Sequence, residues 1–292
     1  MLVMALSPGD VIMSGHGEDG HGMRHGMRHG MNWRWLGGWL ALLCGLPLAA
    51  VAAGTRPPLT IVAMDQASPP YVIGEGDSFA PQPGLAVELA QRAAKTCGIE
   101  LQLLRQPGLR MLQSLKNGSA DAALLLSYNE ERAQFAVYPL RDGQPDGRQR
   151  MSTLRYVLFV RNDSTLAWDG ERLTPSQAVV GSNIGWSVIK DLERLQIKVE
   201  TALNVGSNFN KLQAGRIDAY AIQDLLAAGY LATHPKLAVR ALPQPLVSKD
   251  YFMPFSRQFA ARQPQLVQCM WQQVARQRDA LLQRRMAIYL NH

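Results

Sequence analysis

The chain has 292 residues, of which 47% are hydrophobic and 18% charged, and a formal net charge of +7. That length can hold one large or two ordinary domains with a full core, and the composition excludes a disordered or fibrous chain. The positive charge is scattered over arginines with no basic run interleaved with aromatics, so a nucleic-acid-binding role is not expected.

The N-terminal end reads as a targeting segment. His16, His21, His25 and His29 stand among glycines ahead of it. Imidazoles on a flexible chain can capture a transition metal, but a natural signal can begin at Met31, so the tract reads rather as an over-extended start or a piece removed with the signal. Arg34 then supplies positive charge, Trp35 to Val51 form an apolar stretch, and Ala50-Val51-Ala52 or Val51-Ala52-Ala53 offer small cleavage-site residues. This is the order of a secretory signal. The stretch is short and broken by Gly and Pro, unlike a retained anchor, and Leu42 and Leu43 ahead of Cys44 do not fit a lipoprotein site. Residues 1–53 are expected to be removed, leaving a periplasmic chain. It keeps only His234 and His292, too few for a histidine-based metal site, so neither a metal nor a cofactor is expected. Cys97 and Cys269 also remain; an oxidising compartment favours pairing them, while two buried free thiols are the alternative.

Beyond the signal, strands and helices alternate. LTIVAMD (Leu59 to Asp65) predicts a buried strand ended by the Ser68-Pro69-Pro70 turn. Gly84 opens a helix with Leu85, Leu89 and Ala93 on one face, and Gly98 ends it. Ile99 to Leu104 is a second strand, and Leu109 to Asn117 a helix. The octet Leu-x-x-Gly-x-x-Asp-Ala follows as LKNGSADA (Leu115 to Ala122) and recurs as LQAGRIDA (Leu212 to Ala219). In each copy a helix ends at a glycine suited to the left-handed C′ position, Gly118 or Gly215. An Asp then leads into a short apolar run, DAALLLS or DAYAI, that predicts a buried strand.

Between the copies, RDGQPDGRQR (Arg141 to Arg150) reads as a loop or linker and Thr153 to Val160 as a strand. Ala178 to Gly181 is a further strand, Trp186 to Leu195 a helix, and IKVETAL a strand. Lys236 to Phe255 reads as extended segments and Pro264 to Leu290 as a helix. Alternation of this kind predicts βαβ units with largely parallel sheets, and the doubled joint predicts two α/β lobes built alike with a cleft between.

Four stretches in this order, IVAMDQASPPY, PGLAVELAQRAAKTCG, LKNGSADAALLLSYNEERAQFAVYP and LQAGRIDAYAIQD, resemble the bacterial extracellular solute-binding proteins of family 3. These are periplasmic binding proteins for polar amino acids that feed ABC importers. The resemblance spans the whole mature chain. It implies a type II periplasmic binding fold, α/β throughout, with two lobes joined by two crossover strands and closing on a ligand by hinge motion. Lobe 1 is expected over 55–147 plus 250–292 and lobe 2 over 148–249. The expected function is capture of a small carboxylate-bearing solute and delivery to an importer by a monomer. Alternatives are a ligand-sensing partner of a signalling protein, or a periplasmic enzyme resembling cyclohexadienyl dehydratases or lytic transglycosylases. An enzyme needs a cleft carboxylic acid of raised pKa, for which Glu130 and Glu131 are the nearest candidates; no catalytic cluster is visible.

Arg132 is the leading site residue, because a guanidinium offers a planar fork of donors that fits a carboxylate. Ser127 and Asn129 could add hydrogen bonds, or cap the following helix. Asp65 ends the first strand, where parallel sheets present ligand-binding groups, and could accept from a ligand amine or from the neighbouring turn. Tyr71 is a candidate cleft wall or core residue. Asn183, Gly185, Trp186 and Ser187 lie near a helix N-terminus that favours an anion. The family's ammonium-holding acid falls at Gln223, with Asp224 next, and its stacking aromatics fall at Ser68 and Gly108. The resemblance therefore implies a retained carboxylate clamp and altered amine and side-chain pockets.

Overall fold

The computed structural model describes residues 57–290. The expected signal segment and histidine tract lie outside the described residues. Two sheets carry the fold. The first has five strands in the order Leu101–Gln106, Leu59–Met64, Ala122–Ala123, Phe255–Ser256, Ala136–Val137. Its first three strands run parallel, with Ile61 opposite Ala122 and Leu59 opposite Leu101. The second runs Lys198–Ala202, Val179–Asn183, Ala219–Gln223, Ser152–Arg161, Val247–Phe252, Leu126–Ser127, with Val239–Ala241 also on Ser152–Arg161. Parallel pairing here is confined to the first three strands, and Ser152–Arg161 is antiparallel to its neighbours.

The two octets do the same work. Gly118 and Gly215 have φ of 76° and 67°, the left-handed region that glycine enters without a Cβ clash. The Asp carboxylate then accepts from the backbone N–H that starts the neighbouring strand: Asp121 from Thr60 at 2.9 Å, Asp218 from Val179 at 2.7 Å. Each Asp also donates its own N–H back, to the Thr60 carbonyl at 2.9 Å and the Val179 carbonyl at 2.8 Å. The shared motif closes the open end of a parallel strand pair, where a first N–H would otherwise lack a partner.

After the first octet the expected single strand DAALLLS is divided. Ala122–Ala123 stays in the first sheet, Leu125 turns at φ 55°, and Leu126–Ser127 joins the second sheet opposite Phe252 and Tyr251. Buried apolar residues throughout the run satisfy either sheet, so hydrophobicity does not mark the switch. The chain enters the second sheet at Ser152 and returns to the first between Phe252 and Phe255. Those two passages lie side by side, pairing Ser152 with Tyr251 and Thr153 with Asp250.

The expected helices at Leu85–Thr96, Gly108–Asn117, Val188–Arg194 and Pro264–Leu290 are present. Leu85, Leu89 and Ala93 share one face and are buried in the same core cluster as Val267, Met270 and Val274 of the C-terminal helix. Burial of each leucine there stabilises by roughly 1.5–3 kcal/mol. Cys97 and Cys269 are joined in a disulfide that ties these two helices together. Arg141 to Arg150 is more ordered than a linker: it forms a small hairpin, Leu140–Arg141 with Gln144–Pro145, and a short 3-10 turn over Gly147–Gln149.

Candidate ligand-binding site

The two sheets meet at a cavity of about 60 Å³, room for a few waters. Its apolar wall is Leu124, Leu125 and Leu126 from the strand switch, Val72 and Met64 from the first sheet's side, and Trp186 and Leu226 from the other. Its polar groups are Gln66, Ser68, Ser127, Arg132, Ser187, Gln223 and two tyrosines, Tyr156 and Tyr251, one from each crossover passage.

Arg132 is placed by a one-turn helix, Glu130–Ala133, whose N-cap Asn129 accepts the Arg132 backbone N–H at 2.8 Å. Arg132 is 6% exposed, yet no ion pair among the described residues includes it. Its partners are neutral oxygens. Nη1 donates to the Ser127 carbonyl at 2.8 Å and Oγ at 2.9 Å, and Nη2 donates to the Gly185 carbonyl at 2.9 Å, across the cleft. A guanidinium has five N–H donors, so this fork has capacity left facing the cavity. Arg105, also buried without an ion pair, differs in setting: it donates to the carbonyls of Met64, Asp65 and Ser78 and lies over the Phe79 ring, fastening a surface hairpin to the first strand.

Around Arg132 the two sides are stitched by hydroxyls. Ser127 Oγ and Ser187 Oγ lie 2.7 Å apart, and Tyr138 donates to the Ser127 carbonyl at 3.0 Å. Lys249 donates to the Ser187 carbonyl at 3.2 Å and forms a buried ion pair with Asp191. Burial pulls the Lys249 ammonium below its ordinary value, and the Asp191 carboxylate opposes that shift. Beside Ser127, whose strand partner is Tyr251, Gln223 donates through Nε2 to Tyr251 at 2.6 Å and Tyr156 at 3.3 Å, and the two tyrosine oxygens are 2.9 Å apart. Burial pushes both phenols above their usual range, so they are neutral hydroxyls at physiological pH.

A wider outer cleft of about 810 Å³ adjoins the cavity and shares Met64, Gln66, Ala67, Trp186 and Leu226 with it. Asp65, Asn183 and Tyr230 line this outer region.

The structure thus brings Arg132, Ser127, Trp186, Ser187 and Gln223 together on the inner cavity, with the Gly185 carbonyl on Arg132 and Asp65 and Asn183 on the outer cleft. Three expected site residues fall elsewhere. Tyr71 is buried in the core rather than on either cavity, since its ring follows the Pro69-Pro70 turn inward. Asp224 is the first residue of the helix Asp224–Thr233, does not line the cavity, and pairs with Arg155 at 2.6 Å. Asn129 caps its helix and lies outside the inner cavity. Asn183 has its Oδ1 occupied by donors from Asn208 at 2.9 Å and Tyr220 at 2.6 Å. Tyr156, Tyr251 and Lys249 carry no signal in the sequence; they are single polar residues in strand-like runs that meet only when the crossover passages pair.

The fold has counterparts among solved structures. An ancestral arginine-binding protein bound to glutamine superposes with a TM-score of 0.63 at 15% identity, over 81% of this chain and 99% of that one. The fold is that of the type II periplasmic binding proteins. The GluR0 ligand-binding core from Nostoc punctiforme, in complex with L-glutamate, matches at TM-score 0.57 and 18% identity over 78% of this chain and 98% of its own. The arginine-, lysine-, histidine-binding protein ArtJ from Geobacillus stearothermophilus matches at TM-score 0.60 and 14% identity, covering 77% and 90%. No protein-family model matches the sequence. No curated protein sequence matches it either. Among the described residues no helix is long and apolar enough to cross a membrane.

Proposed function

We propose that the protein is a periplasmic solute-binding protein that takes a small carboxylate-bearing solute between two lobes, 55–147 plus 250–292 and 148–249, and passes it to an ABC importer. The observation that carries this reading is Arg132: a cation 6% exposed, unpaired by any carboxylate among the described residues, on the wall of the inter-sheet cavity. A buried charge without a counter-ion is costly, and an incoming carboxylate supplies one with the geometry the fork prefers. Structurally similar proteins bound to glutamine and to L-glutamate support an amino acid-sized ligand. Glu130 and Glu131 are exposed and do not line the inner cavity, which counts against the enzyme alternative.

The test is a thermal-shift screen of purified protein against amino acids, organic acids and short peptides. A ligand at a hundred times its dissociation constant adds about 2.7 kcal/mol of stability. Arg132→Ala should abolish the shift while the circular dichroism spectrum stays native. A shift that survives this substitution would sink the assignment.

A further inference from the structure

Resting on that reading, we propose that the ligand is a monocarboxylate that lacks an ammonium group and whose apolar body extends from Arg132 toward the outer cleft. An ammonium taken into a closed cavity needs an anion beside it, since burying a cation unpaired is strongly disfavoured. No Asp or Glu lines the inner cavity, and Arg132 is its one charged lining residue. The acids nearby in sequence or space are engaged or outside it. Asp224 pairs with Arg155, Asp191 with Lys249 and Arg194, and Asp65 lines only the outer cleft. The cavity's net charge is therefore that of one cation, which a zwitterion leaves uncompensated and a monoanion neutralises.

The polar end formed by Gln223, Tyr156 and Tyr251 points the same way. Gln223 directs its amide donors at the oxygens of Tyr156 and Tyr251. One phenolic proton serves the 2.9 Å contact between the tyrosines, and each phenol can donate as well as accept. Neutral donors of this kind suit a carboxylate or carbonyl oxygen and offer an ammonium no charge.

Much of the remaining surface is apolar, with Gln66 and Ser68 the other polar side chains on the inner cavity. Met64, Trp186 and Leu226 line both the inner cavity and the outer cleft, so they form a continuous apolar path outward from Arg132. The five exposed large hydrophobics among the described residues include Leu109, Ile184 and Leu203, and these three line the outer cleft. Apolar side chains left in water at a cleft mouth mark a surface that an apolar ligand body covers.

The experiment titrates purified protein calorimetrically with paired probes that differ only in the amino group: 3-phenylpropanoate against L-phenylalanine, and hexanoate against L-norleucine. The acids are expected to bind at least tenfold tighter than their amino counterparts. Tighter binding of the amino acids, still abolished by Arg132→Ala, would overturn the ligand class and leave the solute-binding reading standing. No binding by any of the four, or binding indifferent to Arg132→Ala, would overturn both. Gln223→Glu puts a carboxylate of equal size at the polar end and is expected to move the acid-to-amino-acid ratio at least tenfold toward the amino acids. A ratio unchanged in a variant with native circular dichroism would count against the proposal. The wild-type comparison requires no variant and decides the matter even where Gln223→Glu fails to fold.

Discussion

Arg132 donates to the carbonyl of Gly185 at 2.9 Å, so a buried cation of one side of the cleft holds a neutral acceptor of the other. This contact uses the fork that a carboxylate would occupy more strongly. A carboxylate would bring an opposite charge and a bidentate fit to a fork that here meets a neutral oxygen, so on the proposed reading ligand entry strengthens the contact.

Arg132→Lys separates charge from geometry. Lysine keeps the positive charge but offers a point of donors in place of a planar fork. It should therefore retain weak carboxylate binding, with an affinity loss of roughly tenfold or more, whereas Arg132→Ala should leave none. Calorimetric titration of both variants against wild type checks this. Equal loss in the two variants would indicate that the fork geometry rather than the charge is what matters.

The octet aspartates should behave as structural residues. Asp121→Ala and Asp218→Ala each remove a charged acceptor from a backbone N–H, of Thr60 and Val179 respectively. Hydrogen bonds to charged groups contribute about 1.5–3 kcal/mol, and the two sites lie in separate sheets without shared partners. The double variant should then lose the sum of the single losses within about 0.5 kcal/mol, with ligand affinity unchanged. Urea unfolding followed by circular dichroism measures it.

Reduction of the Cys97–Cys269 bond should destabilise the fold substantially. The cystine closes a loop with a sequence separation of 172, for which the chain-entropy account gives about 5 kcal/mol as an upper figure. A loss of roughly 2–5 kcal/mol is expected for Cys97→Ser/Cys269→Ser in urea titrations. A variant as stable as wild type would show that packing of the first and last helices suffices without the link.

Acid should weaken the same helix pair. Burial tends to raise the Glu88 carboxyl, but hydrogen bonds from Arg285 and Tyr289 outweigh it and hold it below the usual glutamate value. A depressed folded pKa contributes stability that is fully present above the unfolded value, near about 4.3. That contribution is lost as pH falls through the lower folded value. Between pH 6 and 3 the urea midpoint of wild type should fall more steeply than that of Glu88→Gln. Parallel curves would remove Glu88 from the account.

Much of the scaffold was legible from local chemistry. The strand Leu59–Met64, the helix faces at Leu85, Leu89 and Ala93, and the helix ends at Gly118 and Gly215 all follow from residue periodicity and one-residue conformational freedom. Both depend on neighbours a few positions away. Arg132 and Ser127 were legible as a pair because the short segment between them is itself the device that joins strand to clamp.

What the chain could not show by itself depends on contacts between distant segments. DAALLLS is apolar enough for either sheet, and only pairing with Tyr251 and Phe252 draws its second half into the other one. Asp224 looks like a cleft acid in the sequence, but it pairs with Arg155 and does not line the inner cavity. Tyr156 and Tyr251 are 95 positions apart, and their hydroxyls meet because the two crossover passages run side by side. The cavity's charge is set in the same way: it is the sum over side chains that the fold brings together, and no local pattern encodes that sum. The residues alone determined the repeated strand-and-helix joint and the Ser127-to-Arg132 segment proposed as a clamp. Tertiary pairing decided which polar groups face that clamp, since a neighbour's charge acts through space and not along the chain.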